Sequence, residues 1–316
     1  MNEPMIEARD VTKRFGDLTA LDGVSVSAAR GTVLGLLGHN GAGKTTLVNV
    51  LTTMLPSDGG TARVAGYDVT RDGPKVRARI GLTGQFASVD EQLSGRDNLI
   101  LIARLLGASR QAAADRADEL LETFDLTDSA RRRAKQYSGG MRRRLDLAAS
   151  LVGKPDVIFL DEPTTGLDPV SRIGMWEIVR ELVKDGTTVL LTTQYLDEAD
   201  RLADSITVLA SGKVVASGTP AELKGAVGKR TVTATMADTE SAALAIDALR
   251  RTGLHPVSDP SGRTLTTPVE RSTDLAVVVR ALDEASVEAT ELAVGEPTLD
   301  DVYLALAHTS PTTEAA

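Results

Sequence analysis

The sequence contains no cysteine. That excludes a disulfide framework, a thiolate zinc site, an iron–sulfur cluster and a cysteine nucleophile, and it suits a reducing compartment. Basic residues are not in excess either: 35 Lys plus Arg against 44 Asp plus Glu leave a formal charge of −9. Binding to nucleic acid of any sequence depends on a basic surface that displaces counterions from phosphates. No nucleic-acid partner is therefore expected, and an anionic ligand must be held locally. No apolar run approaches the ~18 residues that span a bilayer; the best, Asn98 to Gly107, is short and carries Arg104. The segment Met1 to Glu7 has neither the basic region nor the apolar core of a signal peptide. No internal repeat is evident. What is present is ordinary for a globular protein, with 42% hydrophobic and 25% charged residues, and a length of 316 residues suggests two cores.

The first two-thirds reads as strands alternating with helices, the pattern of an α/β domain with a largely parallel sheet. Val33 to Leu37 is a short apolar run ending in a glycine-rich turn, after which Lys44 to Leu55 has helical character. Asp156 to Asp161 and Thr187 to Thr192 are further buried-strand candidates, with a helix between them from Pro169 to Val183. Residues from Ser94 to about Ser150 are rich in Ala and Leu, with Arg and Asp at helical spacings, and read as a helical insertion, a subdomain over about 90–152. The composition changes near Gly228. Beyond it the expected order is strand (Arg230 to Thr235), helix (Thr239 to Thr252), two strands around the Asp259–Gly262 turn, helix (Ser272 to Glu284) and strand (Ser286 to Val294). This βαββαβ order is ferredoxin-like. A short helix around Leu299 to Ala307 should follow, with Leu299, Val302 and Tyr303 on one apolar face, and the tail 309–316 reads as disordered. The expected domains are 1–222 and 229–308.

Gly38-His39-Asn40-Gly41-Ala42-Gly43-Lys44-Thr45 fits G-x-x-x-x-G-K-[ST] between a predicted strand and a predicted helix. The glycines let successive backbone N–H groups, with Thr46 beyond them, turn toward one concavity at a helix start. Lys44 would bridge the β- and γ-phosphates of ATP, and the Thr45 hydroxyl would ligate Mg²⁺. His39 occupies a variable position and reads as a spacer. Phosphate transfer to water also needs a metal ligand and a group that orients or deprotonates the water. Asp161 and Glu162, ending the apolar strand Val157 to Leu160, supply that pair: Asp161 for Mg²⁺, Glu162 as general base. An isolated Asp-Glu after a strand can also be a helix-capping pair.

Phe15, Gly38 to Thr45, Gln85, Tyr137-Ser138-Gly139-Gly140-Met141, Asp161-Glu162, Leu167-Asp168 and the run Thr192 to Asp200 occur in this order. Together they resemble the nucleotide-binding subunit of an ATP-binding-cassette (ABC) transporter, over about residues 5 to 220. The Ser-Gly-Gly signature is the specific element. The residues around it, with Thr-Thr-Gln-Tyr-Leu-Asp-Glu-Ala-Asp and the ending Glu296 to Leu306, are similar to the daunorubicin/doxorubicin resistance family of drug-export ATPases. The fold implied is a P-loop NTPase cassette with a mixed sheet core and a helical insertion, plus a small α+β ferredoxin-like domain.

By the resemblance, Ser138, Gly139 and Gly140 cap the γ-phosphate held by another copy's P-loop. Asp168 lies in the loop crossing that interface, Phe15 stacks on adenine, and Gln85 senses the metal and the attacking water. Most members have histidine where this chain has Gln194. An amide still donates a hydrogen bond to the γ-phosphate but carries neither proton nor charge. Met141 replaces the usual signature glutamine. The partners implied are ATP, a second copy of the chain and a separate membrane permease, at the cytoplasmic face of the membrane. Docking is expected on Gln85 to Leu99, with Phe86, Leu93 and Leu99 as candidates that core packing explains equally well. The clusters Arg131–Arg133 and Arg142–Arg144 fan around a helix, so solvated surface and inter-helix pairing are expected. The alternative is a soluble ABC ATPase acting on ribosomes or nucleic acid. The single P-loop, the acidic total and the missing coiled-coil insertion weigh against it, and a P-loop kinase has no reason to carry the signature.

Overall fold

A computed structural model of the protein describes residues 3–83, 89–227, 230–259, 261–269 and 273–302. Gln85 and Phe86 lie outside the described residues, as do Tyr303 and the tail 309–316. The chain forms two compact units, Met1–Pro220 and Ala221–Ala316.

The first unit runs β1 (Ile6–Phe15), β2 (Leu18–Ala28), β3 (Val33–Leu37), α1 (Lys44–Leu51), β4 (Gly59–Val64), β5 (Tyr67–Asp68), α2 (Gly73–Arg77), β6 (Ile80–Thr83), α3 (Gly95–Leu105), α4 (Arg110–Thr123), α5 (Gly139–Leu151), β7 (Val157–Asp161), α6 (Pro169–Lys184), β8 (Thr188–Thr193), α7 (Leu196–Leu202), β9 (Ser205–Ala210) and β10 (Lys213–Gly218). Six strands form a mixed sheet in the order β10-β9-β3-β8-β7-β6, parallel except that β10 returns antiparallel to β9. β3, β7 and β8 are buried at every residue. Strands covered on both faces read as continuous apolar runs, which is why these three stand out in the sequence. Side chains alternate between the faces. Leu34, Leu36, Val157, Phe159 and Leu190 share a core with α1 and the N-terminal strands, whereas Val33, Ile158, Leu160, Val189 and Leu191 share one with the helical insertion and α6.

A second, antiparallel sheet, β2-β1-β4-β5, completes the unit. The apolar runs did not single out its β1–β2 hairpin, because only one face is covered and the burial alternates along both strands. In the helical insertion, Ser94, Ser109 and Ser138 cap α3, α4 and α5, each accepting a backbone N–H from three residues on. α3 buries Leu99 completely, leaving Leu101 and Leu105 outside. Leu99 is thus a core residue and is removed from the docking candidates; Leu93 is half-buried.

In the second unit, α8 (Pro220–Val227) precedes β11 (Arg230–Met236), α9 (Thr239–Arg251), β12 (Val257–Ser258), β13 (Thr264–Val269), α10 (Asp274–Glu284) and β14 (Ala289–Gly295). The sheet order is β12-β13-β11-β14, antiparallel throughout. Val232, Ala234, Met236 and Leu265 from the strands form one core with Ala245 and Leu249 of α9 and Val278 and Leu282 of α10. Leu299 and Val302 are buried as well.

Candidate functional site

The site lies at the carboxyl ends of three adjacent parallel strands, where ligands of open α/β sheets bind. Leu37 of β3 pairs with Thr193 of β8, and Asp161 of β7 pairs with Thr192. The glycine loop leaves β3 here and runs into α1. Two of its glycines are required sterically: a Cβ on Gly38 would lie 2.5 Å from the Leu209 carbonyl oxygen, and one on Gly43, whose φ is +108°, would lie 2.7 Å from that of Ala20. Gly43 caps α1 without a side-chain hydrogen bond, so the first N–H groups of the helix remain for other acceptors.

Lys44 is buried beneath the loop, its Nζ donating to the carbonyls of Gly38 (2.7 Å) and His39 (3.2 Å) and lying 4.0 Å from Glu162 Oε1. Burial pushes its pKa down, and the nearby Glu162 and Asp161 carboxylates oppose that shift. The Thr45 hydroxyl donates to Asp161 Oδ2 at 3.4 Å, and the Thr192 hydroxyl donates to Asp161 Oδ1. The Glu162 N–H donates to the carbonyl and the hydroxyl of Thr192, both at 3.1 Å, while φ at Glu162 is +49°. Neither carboxylate caps a helix, which removes that alternative; the cap of α6 is Asp168.

A cleft of about 560 Å³ opens over these groups, lined by the loop, Thr45, Thr46, Glu162 and Phe15. Phe15 stands half-exposed at the tip of the β1–β2 hairpin with the Lys13 ammonium 5.6 Å from its ring centroid. The sequence reading missed Leu18, Thr19, Ala20, Ser211 and Gly212, which also line the cleft. Gly212 N–H donates to Ala42 O at 3.0 Å, and Asp22 N–H donates to Gly212 O at 2.8 Å, which pins the β9–β10 turn against the loop. No motif in the sequence marks this turn, since its role is a tertiary contact.

Ser138, Gly139, Gly140, Asp168 and Gln194 do not line this cleft. Ser138 accepts the Met141 N–H at 3.2 Å as the cap of α5, and Tyr137 just before it is buried, its hydroxyl donating to Ser129 O at 2.8 Å. Gly140 packs on Ser171, whose Oγ lies 2.8 Å from where a Cβ on Gly140 would be. The Ser171 hydroxyl donates to Asp168 Oδ2 at 2.6 Å, and this bond, with the backbone N–H groups of Ser171 and Val170, holds the Asp168 carboxyl below its ordinary range. The signature and Asp168 thus form one continuous patch, and Ser138, Gly139, Asp168 and Gln194 are exposed.

The arginines after the signature divide. Arg142 pairs with Glu91 and Arg144 with Asp125, each a carboxylate in a turn rather than on a neighbouring helix, so the expected inter-helix pairing is not what these two make. Arg143 instead turns under the Asp161–Glu162 loop and donates to the carbonyls of Asp161, Glu162 and Pro163.

A glycine cradle with its lysine, a hydroxyl meeting a strand-end aspartate, a glutamate beside it and a separate serine-capped Ser-Gly-Gly helix start define an ATP-binding-cassette ATPase. The family model described as ABC transporter matches residues 21–165. A daunorubicin resistance ATP-binding protein of Streptomyces coeruleorubidus is 53% identical over 97% of this chain and 96% of that protein. A daunorubicin/doxorubicin resistance ATP-binding protein of Streptomyces peucetius is 48% identical over 95% and 92%. Among solved structures, the ADP conformation of an ATP-binding cassette of an ABC transporter aligns with a TM-score of 0.64 at 28% identity, covering 70% of this chain and 93% of that one. The chain belongs to the daunorubicin/doxorubicin resistance family of ABC ATP-binding proteins. No helix among its described residues is long and apolar enough to cross a membrane.

Proposed function

We propose that this chain is the ATP-hydrolysing motor of a drug exporter, working as a pair of identical cassettes on a separate integral membrane permease at the cytoplasmic face of the cell membrane. One observation carries the reading of the pair: the cleft holds Lys44, Thr45 and Glu162 with Asp161 bonded beneath it, while Ser138, Gly139, Gly140 and Asp168 stand outside it. A second copy can bring its signature to this cleft, so that ATP joins two cassettes and hydrolysis releases them. The names of the relatives supply the drug-resistance element.

In this reading the loop N–H groups and the start of α1 hold the phosphates, and Lys44 exchanges its carbonyl partners for β- and γ-phosphate oxygens. Phe15 supports the adenine through its exposed ring face. Glu162 accepts the proton of the attacking water as the water oxygen bonds to the γ-phosphorus and the bond to the β-bridging oxygen breaks. General-base assistance of this kind is worth about 10²–10⁴ in rate. Gln194 donates its amide to the γ-phosphate without taking a proton. Gln85 is proposed, from the family resemblance, as the metal and water sensor. Thr45 and Asp161 bring together a hydroxyl and a carboxylate oxygen, a hard donor set that fits Mg²⁺. When bound, Mg²⁺ neutralises developing phosphate charge.

Gel filtration of the Glu162→Gln chain tests this. ATP with Mg²⁺ is expected to shift it from monomer to dimer, and ADP is not. A chain that stays monomeric with ATP, or retains full ATPase, overturns the reading.

A further inference from the structure

Arg143 lies early in α5 between two arginines that pair with surface carboxylates; all three are half-buried, but Arg143 is turned toward backbone carbonyls. Its Nε donates to Pro163 O at 2.8 Å, and one terminal nitrogen donates to Glu162 O at 2.6 Å and to Asp161 O at 3.1 Å. Three consecutive carbonyls are turned toward one planar donor, an arrangement that a lysine, as a single point donor, cannot reproduce. The residue at their centre, Glu162, has φ +49°, a left-handed conformation costly for any residue with a Cβ. Its N–H is gripped from the other side by Thr192. The peptides on both sides of Glu162 are therefore fixed, one by β8 and one by the signature helix.

We propose that Arg143 is a positioning residue for hydrolysis, holding the backbone of Glu162 in its left-handed conformation so that the carboxylate is presented in the cleft. The inference rests on the reading of Glu162 as general base. Arg143 is absent from the lining of the cleft and acts on it through the backbone of Asp161, Glu162 and Pro163. Burial pushes the Arg143 pKa down, the Asp146, Asp161, Glu198 and Glu162 carboxylates oppose that shift, and a guanidinium starts so high that the clamp stays cationic. Because Ser138 caps the same helix, a shift of α5 reaches Glu162 through one side chain.

The experiment is a double-mutant cycle on the full chain, with single-turnover ATP hydrolysis at excess protein and nucleotide affinity measured separately. Arg143→Met is expected to lower the hydrolysis rate by about 10²-fold, as a misplaced catalytic group does, with ATP affinity within about twofold of the parent. Arg143→Lys, which can still reach one carbonyl, is expected to fall between the two. In the Glu162→Gln background, Arg143→Met is expected to change nothing further. An equal loss in both backgrounds identifies a general structural role and overturns the proposal, as does a fully active Arg143→Met chain. If Glu162→Gln alone keeps the parental rate, the base assignment itself falls, an outcome distinct from failure of the clamp. Should Arg143→Met fail to fold, Arg143→Lys and Arg143→Gln carry the same cycle.

Discussion

The P-loop at Lys44 and the helix start at Ser138 share a glycine-rich backbone at a helix N-terminus but differ in what they leave open. α1 has no side-chain cap and its lysine is enclosed by the loop and two carboxylates. α5 is capped by its own serine, and Gly140, close behind, rests on Ser171. The first half is a finished cradle with the proposed base, Glu162, beside it. The second is an exposed patch with no cleft of its own. In the proposed pair one chain would supply two unlike halves of phosphate recognition, and substitutions on the two sides should have separable consequences.

The sharpest contrast is between Glu162 and the nucleotide it serves. Glu162→Gln is expected to cut steady-state ATPase by about 10²–10⁴ while ATP affinity survives, measured by phosphate release and equilibrium binding. Equal loss of both would make Glu162 a binding group. On the opposite patch, Ser138→Arg puts a long cation where the exposed cap stands. It should abolish most ATPase, by about 10²-fold, yet leave ATP affinity of the isolated chain within about twofold. A large fall in that affinity would place Ser138 in its own chain's cleft and break the contrast.

Phe15→Ala acts on the cradle only. Losing a stacking face worth about 0.5–1.5 kcal/mol should raise KM for ATP roughly 2–10-fold with kcat retained. An unchanged KM would remove Phe15 from the cleft.

The smallest effect lies behind the patch. Glu198 is fully buried and accepts the Trp176 indole N–H at 3.0 Å. Burial raises its pKa above the ordinary glutamate value of 4.5. A raised carboxyl costs nothing below the unfolded pKa, where both states are protonated; its penalty grows as pH rises through that value and levels off above the folded pKa. Glu198→Gln should therefore gain thermal stability relative to the parent across that window. Trp176 is the sole tryptophan, so its fluorescence reports the unfolding. A pH-independent difference would contradict the assignment.

Legibility followed the range of the interactions. The P-loop, β3, β7 and β8 could be read because local sequence dictates them: glycines forced by close approach, and strands buried on both faces. The βαββαβ order of the second unit was readable for the same reason, from periodicity and turns. The β1–β2 hairpin and the strand order β10-β9-β3-β8-β7-β6 were not, because half-covered strands carry a weaker apolar signal and order is a long-range property. The site divided likewise. Lys44, Thr45, Asp161 and Glu162 came from motifs, whereas Arg143 and Gly212 matter through contacts that no local pattern encodes. Three adjacent arginines look equivalent in sequence, and only the fold sends the middle one beneath Glu162. Leu99 shows the converse: an apolar residue of the expected docking segment, itself a docking candidate, proved to be core.

The central claim is that each nucleotide site takes its cradle from one copy and its signature from another. Mixing Lys44→Ala chains with Ser138→Arg chains, each inactive alone, tests it directly. Mixed pairs then hold one site with both an intact cradle and an intact signature, and ATPase is predicted to reappear. If both halves must come from the same chain, every site in the mixture carries a defect, and continued inactivity despite demonstrated mixed dimers would contradict the account.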